Sequence, residues 1–263
     1  MTLHKKIGSW LTDYGHMVRG SLLMTVHRNP PKHYLEYTIE GKIPVILIPG
    51  ILGKWGFMKF LGDKISLEGH PVYIIPNLSY NLFSIPASAQ ILRATVVHLF
   101  PSLGHIMPKM HKGAESIKEL MQSNNITAAV LVAHSKGGLI GKYYLTHHNQ
   151  DHRVLGMVSI ATPYSGSAMA KLIPLDPFAE LKNDSELIKD LERHTEANHQ
   201  IISILPEYDN HVWAEKGSYL EGAENVEVPI RGHHKVLFSK QVVEVILASI
   251  NKLTLIYFAD KSK

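Results

Sequence analysis

Two short runs, Pro44-Val45-Ile46-Leu47-Ile48 and Ala128-Ala129-Val130-Leu131-Val132-Ala133, are apolar at every position, and they constrain this chain more than any other feature. A strand with one wet face alternates apolar and polar side chains, whereas a strand covered on both faces has no polar positions. Residues 71–75 form a third such run and residues 154–161 the next strand. Between them lie helical stretches at about residues 55–67, 87–99, 113–123 and 137–148. Strands alternating with helices predict the α/β class, with a mostly parallel, doubly wound sheet and helices on both faces. Residues 201–205 and 224–228 complete the strands and residues 241–250 form the last helix, followed by an apolar tail at 253–258. A further strand is expected at residues 34–39.

With 263 residues and 45% apolar content, one domain spanning residues 1–263 can bury a sizeable core. Ile7, Trp10, Leu11, Tyr14, Met17 and Val18 recur at helical spacing and predict an N-terminal amphipathic helix over about residues 5–20, ended near Gly20 and broken by Asn29-Pro30-Pro31. Residues 163–200 contain no convincing strand, and a helical pattern over 180–193 points to a small helical cap. Prolines interrupt any helix between residues 100 and 108, near a pocket in this reading.

Cysteine is absent, which excludes disulfides and thiolate chemistry. Neither a leader sequence nor a run of about eighteen apolar residues is evident, so the expectation is a cytoplasmic protein with possible peripheral membrane contact through the N-terminal helix. The net charge of +4 is scattered, and no nucleic-acid motif accompanies it. Seventeen histidines include the pair His147-His148, but no metal-binding spacing is present, so neither metal nor cofactor is expected.

The chemistry concentrates where the run ending at Ala133 meets His134-Ser135-Lys136-Gly137-Gly138. A strand that turns sharply into a helix needs small side chains two residues before and after the serine, and Ala133 and Gly137 supply them. The competing reading is that Ser135 only caps the helix. A serine nucleophile needs a base to take its proton and a carboxylate to orient that base. Asp209 lies in the polar loop after the strand at 201–205, with Glu207 as its competitor. His233 and His234 lie in the loop before the last helix.

These motifs resemble the α/β-hydrolase superfamily, especially small bacterial triacylglycerol lipases and esterases. The matching residues are Ile48-Pro49-Gly50-Ile51, Ala133-His134-Ser135-Lys136-Gly137-Gly138, Ala161-Thr162-Pro163-Tyr164-Ser165-Gly166-Ser167 and Gly232-His233. The resemblance implies an α/β-hydrolase fold and a serine hydrolase cleaving a small-molecule or lipid ester through Ser135, Asp209 and His233, with His233 rather than His234 as the base. It also implies an oxyanion hole built from the backbone N–H groups of Ile51 and Lys136. The chain departs from the family in having Ala133 where Gly is usual, Pro49 where His is frequent, and Lys136 where an apolar residue is usual. The Lys136 side chain is expected to reach solvent. Residues 99–110 and 172–178 are candidates for an acyl pocket. A thioesterase or acyltransferase would use the same triad, and a non-catalytic binding protein of the same fold would show it displaced.

Overall fold

The computed structural model describes residues 3–100, 128–213 and 217–261. Six strands, β1 (Val45–Ile48), β2 (Val72–Ile74), β3 (Ala129–His134), β4 (Val154–Ile160), β5 (Ile201–Tyr208) and β6 (Glu224–Arg231), form one sheet in the order β2-β1-β3-β4-β5-β6. Every pairing is parallel. All residues of β1 and β3 are buried, as their unbroken apolar character requires. Eight α-helices are described: α1 (Leu3–Val26), α2 (His33–Glu36), α3 (Lys59–Leu67), α4 (Ile85–Leu99), α5 (Lys136–His147), α6 (Asp176–Ala179), α7 (Glu186–Arg193) and α8 (Lys240–Lys261). The pair α4 and α5 covers one face of the sheet and the pair α3 and α8 the other. None of the described helices is long and apolar enough to cross a membrane.

Register fixes the working edge. Ile48 pairs with Ala133, Ala133 with Ser159, and Ser159 with Ser203, so the carboxyl ends of β1, β3, β4 and β5 finish near one line. In a parallel sheet the loops leaving those ends converge, and ligand sites form there.

Several elements differ from the sequence expectation. Residues 34–39 form the single turn of α2 and then a coil instead of a strand. The Tyr34 ring is fully buried, packs edge-on to Trp55 and donates its hydroxyl to the Lys59 carbonyl at 3.2 Å, so this one anchor outweighs edge pairing. Helix α1 runs six residues past Gly20. That glycine permits close approach, because a Cβ there would lie 2.6 Å from the Phe57 ring. Of the six apolar residues at helical spacing, Ile7, Leu11 and Val18 are more than half exposed, and with Leu22 and Val26 they make an outward apolar row. The helical pattern over 180–193 becomes helix only at Glu186, where the Ser185 hydroxyl accepts the Ile188 N–H at 3.2 Å and caps it. The apolar tail at 253–258 belongs to α8, which continues to Lys261 with Leu253 buried. The helix expected at 113–123 lies outside the described residues.

Candidate active site

Ser135 occupies the one residue between β3 and α5, with φ 53° and ψ −125°. A left-handed φ is costly for a residue with a Cβ and persists only where its surroundings enforce it. Here the Ser135 N–H donates to the Ile160 carbonyl at 2.9 Å, and its own carbonyl accepts from Gly138 at 3.0 Å. Glycine is needed at 137, since a Cβ there would lie 2.9 Å from the Pro49 carbonyl oxygen, and a side chain at 138 would run into Thr162. The run beginning at Thr162 therefore packs behind the turn. The Ser135 side chain makes no capping bond to α5. Its hydroxyl lies 2.9 Å from His233 Nε2, which removes the capping reading.

At the end of β5, Asp209 turns its carboxylate back on its own loop. Oδ1 accepts the N–H groups of His211 at 2.7 Å and Val212 at 2.9 Å, while Oδ2 accepts the Nδ1–H of His233 at 2.7 Å. Glu207, its competitor in the sequence, reaches outward and accepts from Arg231 Nε at 3.0 Å. Burial pushes the Asp209 carboxyl up, but the His233 contact and the two backbone donors outweigh it, so its pKa is lowered.

His233 follows Gly232, whose φ of +134° a side-chain-bearing residue rarely adopts. Its N–H donates to Asn210 Oδ1 at 3.0 Å. Because a carboxylate only accepts, Nδ1 carries the proton, and the neutral ring offers Nε2 to the Ser135 hydroxyl. Burial disfavours the charged ring, yet the Asp209 charge and hydrogen bond prevail, with Asp13 adding to them, and the His233 pKa is raised above 6.5. His234 points away, with Nδ1 at 3.0 Å from Asp13 Oδ2.

The loop after β1 crosses over the serine: a Cβ on Gly50 would lie 3.0 Å from Ser135 Cβ. Asn81 anchors that loop by donating to the Pro49 carbonyl at 2.7 Å. Ile51 follows directly, and Lys136 opens α5, where helix geometry leaves its N–H without an intrahelical acceptor. The Lys136 side chain does not reach solvent as expected. It is fully buried and donates to the carbonyls of Asn81 at 3.2 Å and Phe83 at 2.6 Å. The turn around Asn81 (φ 53°) frees these acceptors, and burial pushes the Lys136 pKa down to about 8, with Glu180 opposing.

A cavity of about 410 Å³ opens beside Ser135 and His233. Met17 and Met24 of α1 line it together with Ile173, Phe178 and Leu181. Of the expected pocket segment 172–178, Ile173 and Phe178 line the cavity while Leu172 and Leu175 are exposed; of the segment 99–110, only Leu99 and Phe100 are described. An open groove of about 1020 Å³ between the start of α1 and the end of β5 reaches Asp209 but not Ser135.

Sequence reasoning missed Asp13, His134 and His211. The rings of His134 and His211 lie 4.8 and 4.9 Å from that of His233, and His134 Nε2–H donates to the His233 carbonyl at 2.9 Å. Asp13 had a signal, being the acid in the middle of a helix face shared with Trp10 and Met17. Among the described residues, Asp13, His211 and His234 each bring a metal-ligating atom within 4.8 Å of the others, as do His147, Asp190 and His194. His147 thus gathers with α7 rather than with its neighbour His148.

A family model described as alpha/beta hydrolase fold matches residues 43–191, more than half the chain, which includes Ser135 but stops short of Asp209 and His233. No curated protein matches the chain. Among solved structures, the mature lipase BlEst2 of Bacillus licheniformis is similar with a TM-score of 0.59 at 15% identity, covering 82% of this chain and 95% of its own. The metagenomic carboxyl esterase MGS0156 gives 0.57 at 15% identity, over 82% of this chain and 76% of its own. The ydeN gene product of Bacillus subtilis gives 0.51 at 18% identity, over 80% and 100%.

Proposed function

The chain belongs to the alpha/beta hydrolase fold family, and on that premise we propose that it hydrolyses carboxylic esters with Ser135 as nucleophile, His233 as general base and Asp209 as its orienting acid. One observation carries the reading: a continuous chain of hydrogen bonds from Asp209 through His233 to Ser135, at 2.7 and 2.9 Å. The rival, a binding protein of this fold, expects a displaced base, and those distances count against it. The names of the similar structures, a lipase and a carboxyl esterase, agree with ester chemistry.

In this mechanism His233 Nε2 takes the Ser135 proton as Oγ attacks the ester carbonyl. The oxyanion meets the N–H groups of Ile51 and Lys136, preorganised backbone dipoles that stabilise it without reorienting. Collapse expels the alcohol, which takes the proton back from His233. Water, deprotonated by His233, then releases the acid and restores Ser135. Every group is a protein group, so no metal or cofactor enters the scheme. Residues 163–200 act as a cap over the cavity in this reading, and the apolar row on α1 suits peripheral contact with a lipid surface.

The cavity is walled mainly by apolar side chains, which favours an apolar acyl group. Across p-nitrophenyl esters, kcat/KM is expected to rise from acetyl to octanoyl. A folded protein that turns over none of them would exclude the proposal. Only neutral His233 accepts a proton, and its pKa is raised, so activity falls as pH drops through a value above the ordinary 6.5. A kcat/KM profile from pH 5 to 9 checks this; an acidic limb below 6.5 contradicts it.

A further inference from the structure

Asp13 is fully buried on a helix face otherwise made of Trp10, Met17 and Met24, where an unpaired charge would be costly. Its carboxylate is instead saturated by the loop that carries His233. Oδ1 accepts the backbone N–H groups of His234 at 2.7 Å and Lys235 at 2.9 Å, and Oδ2 accepts His234 Nδ1–H at 3.0 Å. On the other side of His233 the loop closes on the same group, since a Cβ on Gly232 would lie 2.5 Å from Oδ1. One turn earlier, Trp10 Nε1–H donates to the Tyr208 hydroxyl at 2.8 Å, next to Asp209.

From this geometry we propose that Asp13 is a positioning residue for the esterase reaction: α1 uses its carboxylate to clamp residues 232–235 and so fixes the base His233 against Ser135. The proposal rests on the ester-hydrolase reading. Helix α1 and residues 232–235 both lie outside the family-matched residues 43–191. Asp13, His211 and His234 offer a metal's ligand atoms, but both Asp13 oxygens already hold N–H donors, and a cation bound jointly by Oδ2 and His234 Nδ1 would have to expel the Nδ1 proton. The arrangement is complete as a hydrogen-bonded clamp.

Asp13 also sets charge. His233 faces Asp209, Asp13 and the rings of His134, His211 and His234. The pKa values of the three neighbouring histidines are lowered, chiefly by burial, to about 3 for His211, which leaves the two carboxylates as the charges raising His233.

The test is Asp13→Asn in the full chain, which keeps an acceptor at Oδ1 and removes the charge. Expected are a kcat lower by ~10- to 100-fold, by analogy with the loss of groups that orient metal-bound histidines, a KM within about twofold of wild type because Asp13 is not among the residues lining the cavity, and an acidic limb moved to lower pH. A purely structural role would leave the limb where it is. Should that variant fail to fold, kcat of the pair His234→Asn and His234→Ala decides: the first keeps a donor at the Nδ1 position, the second leaves Asp13 Oδ2 without it, and the second has the lower kcat. Equal activity of that pair, or Asp13→Asn with wild-type kcat and an unmoved limb, overturns the clamp. So does wild-type activity that is lost to EDTA and restored by zinc. A wild type inactive toward every ester fails the parent reading instead.

Discussion

Ser135→Ala is expected to lower kcat for any ester substrate by about 10⁶-fold while leaving the protein folded. Only the hydroxyl is removed, and among the described residues its side-chain hydrogen bond is to His233 Nε2. Losing one such bond costs roughly 1 kcal/mol, a shift of about 2–4 °C in Tm for a domain of this size. Alanine in place of Ser135 keeps the left-handed φ enforced by the Ile160 and Gly138 bonds, so the turn and the loop over it remain. What survives is binding and backbone stabilisation of the oxyanion, about 10³-fold over water. Steady-state kinetics beside thermal unfolding separates the two quantities. A residual rate within tenfold of wild type assigns the nucleophile elsewhere.

Asp209→Asn carries the second-largest effect, about 10⁴-fold in kcat by analogy with triads in which the same change has this effect. The amide oxygen still accepts the N–H groups of His211 and Val212, so the loop holds. The amide NH₂ then faces His233 Nδ1, which turns acceptor, and the ring proton moves to Nε2, where it confronts the Ser135 hydroxyl as a second donor. The base is blocked without being displaced. KM should change little, because Asp209 is not among the residues lining the cavity. Glu207 cannot substitute, since it points outward to Arg231. A kcat reduced less than tenfold would remove Asp209 from the mechanism.

How far the sequence foretold these residues follows from the range of the forces that place them. β1 and β3 are visible because burial on both faces leaves a local signature, and Ser135 because the turn's demand for small neighbours falls within two residues of it. Asp209 and His233 are recognisable from chain order, since each follows a strand ending at the same sheet edge. The partners of Asp13 and Lys136 are not. The backbone donor at Lys235 lies 222 positions from Asp13, and the acceptors of Lys136 lie 53 and 55 positions away, so only the folded chain joins them. Gly20 misleads because a glycine that ends a helix and one that admits a ring, here Phe57, look alike in sequence. Residues 34–39 mislead because a short apolar stretch fits a strand or a turn equally, and the Tyr34 anchor decides.

The central claim, that Ser135 is an activated nucleophile, is tested most directly by treating the folded wild-type protein with a fluorophosphonate probe and locating the adduct by peptide mass spectrometry. The account predicts one stoichiometric adduct on Ser135 and none on Ser135→Ala. An unlabelled wild type, or an adduct that persists in the variant, contradicts it.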